Sequence, residues 1–175
     1  MRFLPSLLAL LLCGCVNIPD VYAPPQQRKP LSVEDPSPLK SFINMNDMAA
    51  PTHFVRDIAP TVEGGLWRWA RKSPTLMFSV PTTKSMKFAM DFTISGHTLK
   101  ETGPITMTIT INGHELDKTT YSTEGDRHFE KPVPEDWLHL KQENLVTMEV
   151  DKVYVAPADQ VVLGFVLTRA GFIQQ

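Results

Sequence analysis

The segment from Ile105 to Ile111 alternates without exception between an apolar side chain and threonine, Ile-Thr-Met-Thr-Ile-Thr-Ile. A period of two sends successive side chains to opposite faces of an extended chain, so this run is a strand with one buried and one solvated face. Threonine suits the solvated face because it is both β-branched and polar. Asn112-Gly113 follows at once, and His114-Glu115-Leu116 restarts the chain. Both turn residues tolerate positive φ, which predicts a hairpin closed by a type I′ turn. The same period recurs in Met86, Phe88, Met90, Phe92 and Ile94, and in Leu76, Phe78 and Val80, a run bounded by Pro74 and Pro81. Val146, Met148 and Val150 share a face, while Val153 and Val155 are out of phase with them, which predicts a β-bulge near Asp151-Lys152. Val161 to Leu167 is apolar on nearly both sides and reads as a central strand. Leu66 to Arg71 and Arg127 to Val133 are less regular strands, the second kept from a sheet centre by Pro132 and Pro134. Short strands with turn signals between them predict an all-β fold, an antiparallel two-sheet β-sandwich of jelly-roll type, over residues 53–175.

The first residues carry an address rather than a fold. Arg2 precedes a short apolar run, Leu7 to Leu12, which is too brief to span a bilayer and reads as a secretory signal over residues 1–14. It ends in Leu12-Cys13-Gly14-Cys15, which resembles the bacterial lipobox. Cys15 fits because Gly14 precedes it, whereas Cys13 follows Leu12. The resemblance implies an acylated Cys15, a membrane-anchored mature chain and, with Val16 in place of an Asp, sorting to the outer membrane of the bacterial cell envelope. The other reading makes both cysteines apolar members of a cleaved signal. Eight of the fifteen prolines fall between residues 16 and 60, and proline fixes φ and removes a donor. Residues 15–52 therefore read as the lipidated cysteine and a proline-rich tether, with a short helical turn at 41–50 stopped by Pro51.

Charge and side-chain chemistry narrow the function. Seventeen Lys and Arg face nineteen Asp and Glu, so the basic excess of a nucleic-acid binder is missing and no nucleic-acid partner is expected. The only cysteines are 13 and 15, so the body of the chain has no disulfide framework. Histidines 53, 97, 114, 128 and 139 lack the local spacing of a metal site, and no metal or cofactor is expected. There is no G-x-S-x-G elbow and no phosphate loop, so the chain is read as non-enzymatic. Glu130, Glu135 and Asp136 lie near Trp137, but they flank prolines and read as a solvated loop rather than a glycosidase pair. Tyr121 to Asp126 is acidic and offers oxygen ligands of the kind a calcium site uses, without the regular spacing of a known calcium loop. Trp67 and Trp69 share one face of a strand, with Arg68 on the other. The indoles either stack on the apolar faces of sugar rings or belong to the core.

The succession Gly65-Leu66-Trp67-Arg68-Trp69, Thr75 to Phe78, Ile109 to Gly113, Phe129 to Pro134, a strand from Leu145, Val155 to Asp159 and Leu163 to Leu167 resembles a known group. It is similar to the jelly-roll, galactose-binding-like modules of bacterial glycosyltransferases and envelope polysaccharide proteins. The usual Asp-x-Arg before Leu-Gly is replaced here by Gln160, Val161 and Val162. The resemblance implies a non-catalytic sandwich that binds carbohydrate or envelope polysaccharide, with Trp67, Arg68, Trp69 and Trp137 as candidate contacts. The alternative is a structural or protein-interaction subunit of an envelope complex, for which the threonine row 106, 108 and 110 is the candidate surface.

Overall fold

A computed structural model describes residues 39–175; Cys15, the signal and the chain up to residue 38 lie outside the described residues. The alternating segments form the expected strands. The run of Ile and Thr is β5 (Ile105–Ile111), with its four apolar residues buried and its threonines turned outward. β5 returns as β6 (His114–Tyr121) through Asn112 at φ 49° and Gly113 at φ 86°, the hairpin geometry that residue pair favours.

The remaining strands are β1 (Phe42–Asn44), β2 (Phe54–Ile58), β3 (Arg68–Ser79), β4 (Met86–Ile94), β7 (Gly125–Pro132), β8 (Glu143–Val150) and, after a short hairpin of β9 (Tyr154–Val155) and β10 (Val162–Leu163), β11 (Phe165–Gln174). Eight strands pair in the orders β1-β11-β4-β7 and β3-β8-β5-β6, which is the strand order of a jelly roll, and β2 pairs with β3, all antiparallel. The first residues of β3 cross onto β11, so the two sheets share one ladder at that corner. Aromatic rings from opposite sheets fill the space between. Phe78 of β3 meets Phe172 of β11 at 5.7 Å, and Phe92 of β4 meets Tyr121 of β6 at 5.4 Å, both edge to face.

Several features depart from the sequence reading. The domain does not begin at residue 53. Ile43 and Met45 are fully buried, and β1 pairs with β11, so the segment read as the end of the tether is part of the sandwich. The strands on either side of Pro74 are one long strand. Arg68–Ala70 pairs with β11 and Thr75–Ser79 with β8, so Pro74 falls at the handover between the two, where its missing N–H breaks no ladder bond. There is no bulge at Asp151. β8 ends at Val150, and the phase slip marks the chain leaving the sheet for the β9–β10 hairpin. A helix, α1 (Gly96–Thr102), was not expected. Ser95 caps it by accepting from the Thr98 amide at 3.4 Å, and Gly103 ends it at φ 73°. Seven residues are too few to display a helical period.

Candidate functional site

The two tryptophans reach the surface because of what precedes them. Gly64 and Gly65 both adopt positive φ, 57° and 70°, and reverse the chain so that Glu63 and Trp67 form an isolated bridge. The Trp67 indole closes over this turn; a Cβ on Gly64 would sit 3.0 Å from its Nε1. Trp69, one strand period on, meets Trp67 edge to face at 5.8 Å. Strand pairing then lays a row of outward side chains beside Trp69. Val166 of β11 faces Trp69 and Thr93 of β4, and Thr93 faces Asp126 of β7. Thr93 Oγ1 donates to Asp126 Oδ1 at 2.6 Å. Together these residues and Thr168 line a hollow of about 490 Å³ with an apolar wall and a polar floor.

One turn of the pleat further along the same strands lies a charged row. Asp91 of β4 faces His128 of β7 and Arg169 of β11. Its Oδ1 is 2.5 Å from His128 Nδ1, and its Oδ2 accepts from Arg169 Nε. His128 Nε2 lies 3.6 Å from Glu130, which pairs with Lys87 at 2.7 Å. Partial burial of Asp91 works against its charge, yet the bonds from His128 and Arg169 prevail and hold its pKa below the usual value. The same bond raises the pKa of His128. Arg127 ties the β6–β7 connection down by donating to the carbonyls of Thr123 and Glu124. This row lines a second hollow of about 600 Å³, which shares Thr93, Asp126 and Thr168 with the first.

The sequence-predicted residues separate. Trp67 and Trp69 are half-buried and line the groove together. Arg68 does not join them. It alternates to the core side, is 5% exposed, and donates to the carbonyls of Met45, Ala59 and Pro60 while its guanidinium lies over Phe54. An arginine so occupied cannot contact a ligand in the groove. Trp137 lies in a short 3-10 helix (Glu135–Trp137) at the other end of the sandwich, stacked on His114 at 4.9 Å and bonded through its carbonyl to Asn112. It is therefore a closing side chain, not a wall of the same groove. Glu130 stands on β7, away from Glu135 and Asp136. Among the described residues no three His, Cys, Asp or Glu side chains cluster as a metal site, and no helix there is long and apolar enough to cross a membrane.

Sequence reasoning did not bring Asp91, Thr93, Asp126, His128 and Arg169 together in one site. Alternation places Asp91 and Thr93 on the polar face of β4, but which strands flank β4 is a long-range pairing that periodicity does not carry.

No family model matches the sequence, and no curated protein matches it. Among solved structures the chain is similar to a native family 35 carbohydrate binding module from Clostridium thermocellum, at 13% identity over 72% of this chain and 95% of that one, with a TM-score of 0.43. A family 35 carbohydrate binding module from an environmental isolate is similar at 9% identity over 77% of this chain and 96% of that one, also with a TM-score of 0.43. An exo-beta-1,3-galactanase from Phanerochaete chrysosporium is similar at 11% identity over 77% of this chain, which spans 29% of that enzyme, with a TM-score of 0.40. The jelly-roll assignment rests on the strand order given above, independently of these neighbours.

Proposed function

We propose that this protein is a non-catalytic, lipid-anchored envelope protein whose jelly-roll domain binds carbohydrate on the outward face of the β1-β11-β4-β7 sheet. The observation that carries the reading is the shared groove of Trp67 and Trp69 with Thr93, Asp126 and Thr168. Indole surface covers the C–H face of a pyranose, and hydroxyl and carboxylate oxygens on the facing floor bond the ring hydroxyls. A few polar groups set against apolar surface provide orientation and specificity. The anchor is Cys15, whose acyl chains are worth about 0.8 kcal/mol for each buried methylene.

A glycan array probed with the wild type and with Trp69→Ala tests the binding. Signal on at least one glycan class, lost in Trp69→Ala, is expected. A folded wild type that binds no glycan overturns the reading. Labelled-palmitate incorporation tests the anchor separately, since Cys15→Ser should abolish both labelling and membrane fractionation.

A further inference from the structure

We propose that the groove takes an internal stretch of a linear, uncharged glycan laid across the strands, with Trp69 at one end and Asp126 and His128 at the other, rather than one terminal sugar. This rests on the carbohydrate reading above and adds the ligand's length, direction and charge.

Three observations converge. The outward row Trp69, Val166, Thr93, Asp126 runs perpendicular to four hydrogen-bonded strands. Three strand spacings span about 14 Å, the length of roughly three linked pyranose rings. The two hollows adjoin, because Thr93, Asp126 and Thr168 line both, with the tryptophans in one and His128 in the other. The charges of the far hollow also balance. Asp91 and Asp126 stand against Arg127 and Arg169, with Asp91 bonded to Arg169. His128 sits between Asp91 and Glu130, and Glu130 is itself paired with Lys87. Such a surface sets carboxylates and guanidinium or ammonium groups against one another in equal number, which favours neither an anionic nor a cationic sugar, and it offers hydroxyl, carboxylate and imidazole groups along its length to sugar hydroxyls.

Isothermal titration of the full chain in detergent with cello-, xylo-, manno- and β-1,4-galacto-oligosaccharides, from disaccharide to hexaose, tests this. In a series that binds, affinity should rise by about tenfold from disaccharide to tetraose and then level off. His128→Ala, at a side chain 58% exposed, should weaken the tetraose by about threefold to tenfold while leaving the disaccharide within about twofold. A disaccharide that binds as tightly as the tetraose, or a tetraose indifferent to His128→Ala, overturns the inference and leaves the carbohydrate reading standing. Binding confined to acidic glycans has the same effect. A folded wild type that binds none of these series and no glycan on the array removes both.

Discussion

Arg68 Nε donates a hydrogen bond of 2.8 Å to the carbonyl of Met45, twenty-three residues earlier in the chain. That bond ties the start of β3 to the segment that follows β1. The same guanidinium reaches Ala59 and Pro60, so one buried cation serves three loop carbonyls, of which that of Met45 is the deepest. Arg68→Ala leaves those acceptors with no donor, at about 1–3 kcal/mol for each one that water cannot reach. Urea denaturation should show a loss of about 1–3 kcal/mol. A loss under about 1 kcal/mol would show that the carbonyls find other donors.

The three tryptophans should respond differently to truncation. Trp69→Ala removes groove wall and should abolish glycan binding at modest cost in stability. Trp137→Ala opens the opposite end of the core beneath the indole and breaks the stacking on His114, at about 2–4 kcal/mol. Its glycan affinity, measured on the folded fraction, should match the wild type. Loss of binding in Trp137→Ala at full folding would place the site elsewhere.

His128 should titrate above the ordinary histidine value of 6.5, first because it bonds Asp91. A folded-state pKa raised in this way gives stability that is fully present below the unfolded value and is lost as pH rises through the folded one. The side chain is largely exposed, so the effect should stay under about 1 kcal/mol. Proton NMR of the imidazole is the direct measurement, and Asp91→Asn should bring the midpoint back down. A midpoint unchanged by that substitution would contradict the pairing.

His53 should act with the opposite sign. It is fully buried, its Nδ1 donating to Met77 at 2.7 Å and its Nε2 accepting from the Lys40 amide at 3.3 Å. Burial lowers its pKa; Met77 and Asp47 oppose that and Lys40 adds to it. A depressed histidine pKa means the unfolded chain binds the proton first, so this contribution falls as pH drops below about 6.5 toward the folded value. Denaturation midpoints between pH 7.5 and 5 should decline in the wild type and decline less in His53→Gln, whose amide keeps a donor and an acceptor but does not titrate. Equal slopes in the two proteins would assign the acid loss to other groups.

Gly171 lies where β1 crosses β11, at φ 149°, and a Cβ there would collide with the Ser41 carbonyl and with Phe42. Gly171→Ala should displace β1 and cost about 2–4 kcal/mol. Hydrogen exchange should show it first at the amides of Met45 and Phe172, which bond Thr168 and Ser41 across this contact. Unchanged protection there would mean that the backbone yields instead.

Much of the sandwich is legible in the sequence. β4, β5 and β8 each show the two-residue period, and Asn112-Gly113 marked its hairpin, because strand faces and turn φ values are set by residues within a few positions of one another. The helix at Gly96 carried only its caps, Ser95 and Gly103, as signals. The start of the domain was misread because β1 contributes just three residues, whose place depends on β11 more than a hundred positions away.

The local text determined that Trp67 and Trp69 share a face and that Arg68 takes the other. Nothing local states which of those faces meets the core. Hydrophobicity alone argues for indoles inside and guanidinium outside. The tertiary structure decides the reverse, because the buried carbonyl of Met45 and those of Ala59 and Pro60 meet the guanidinium on the inner face. The indoles are thereby left outward, beside Thr93, Asp126 and Thr168 from strands far apart in the chain. Backbone groups withdrawn from water must be satisfied wherever the fold brings them together, and that requirement exists only once the strands have paired.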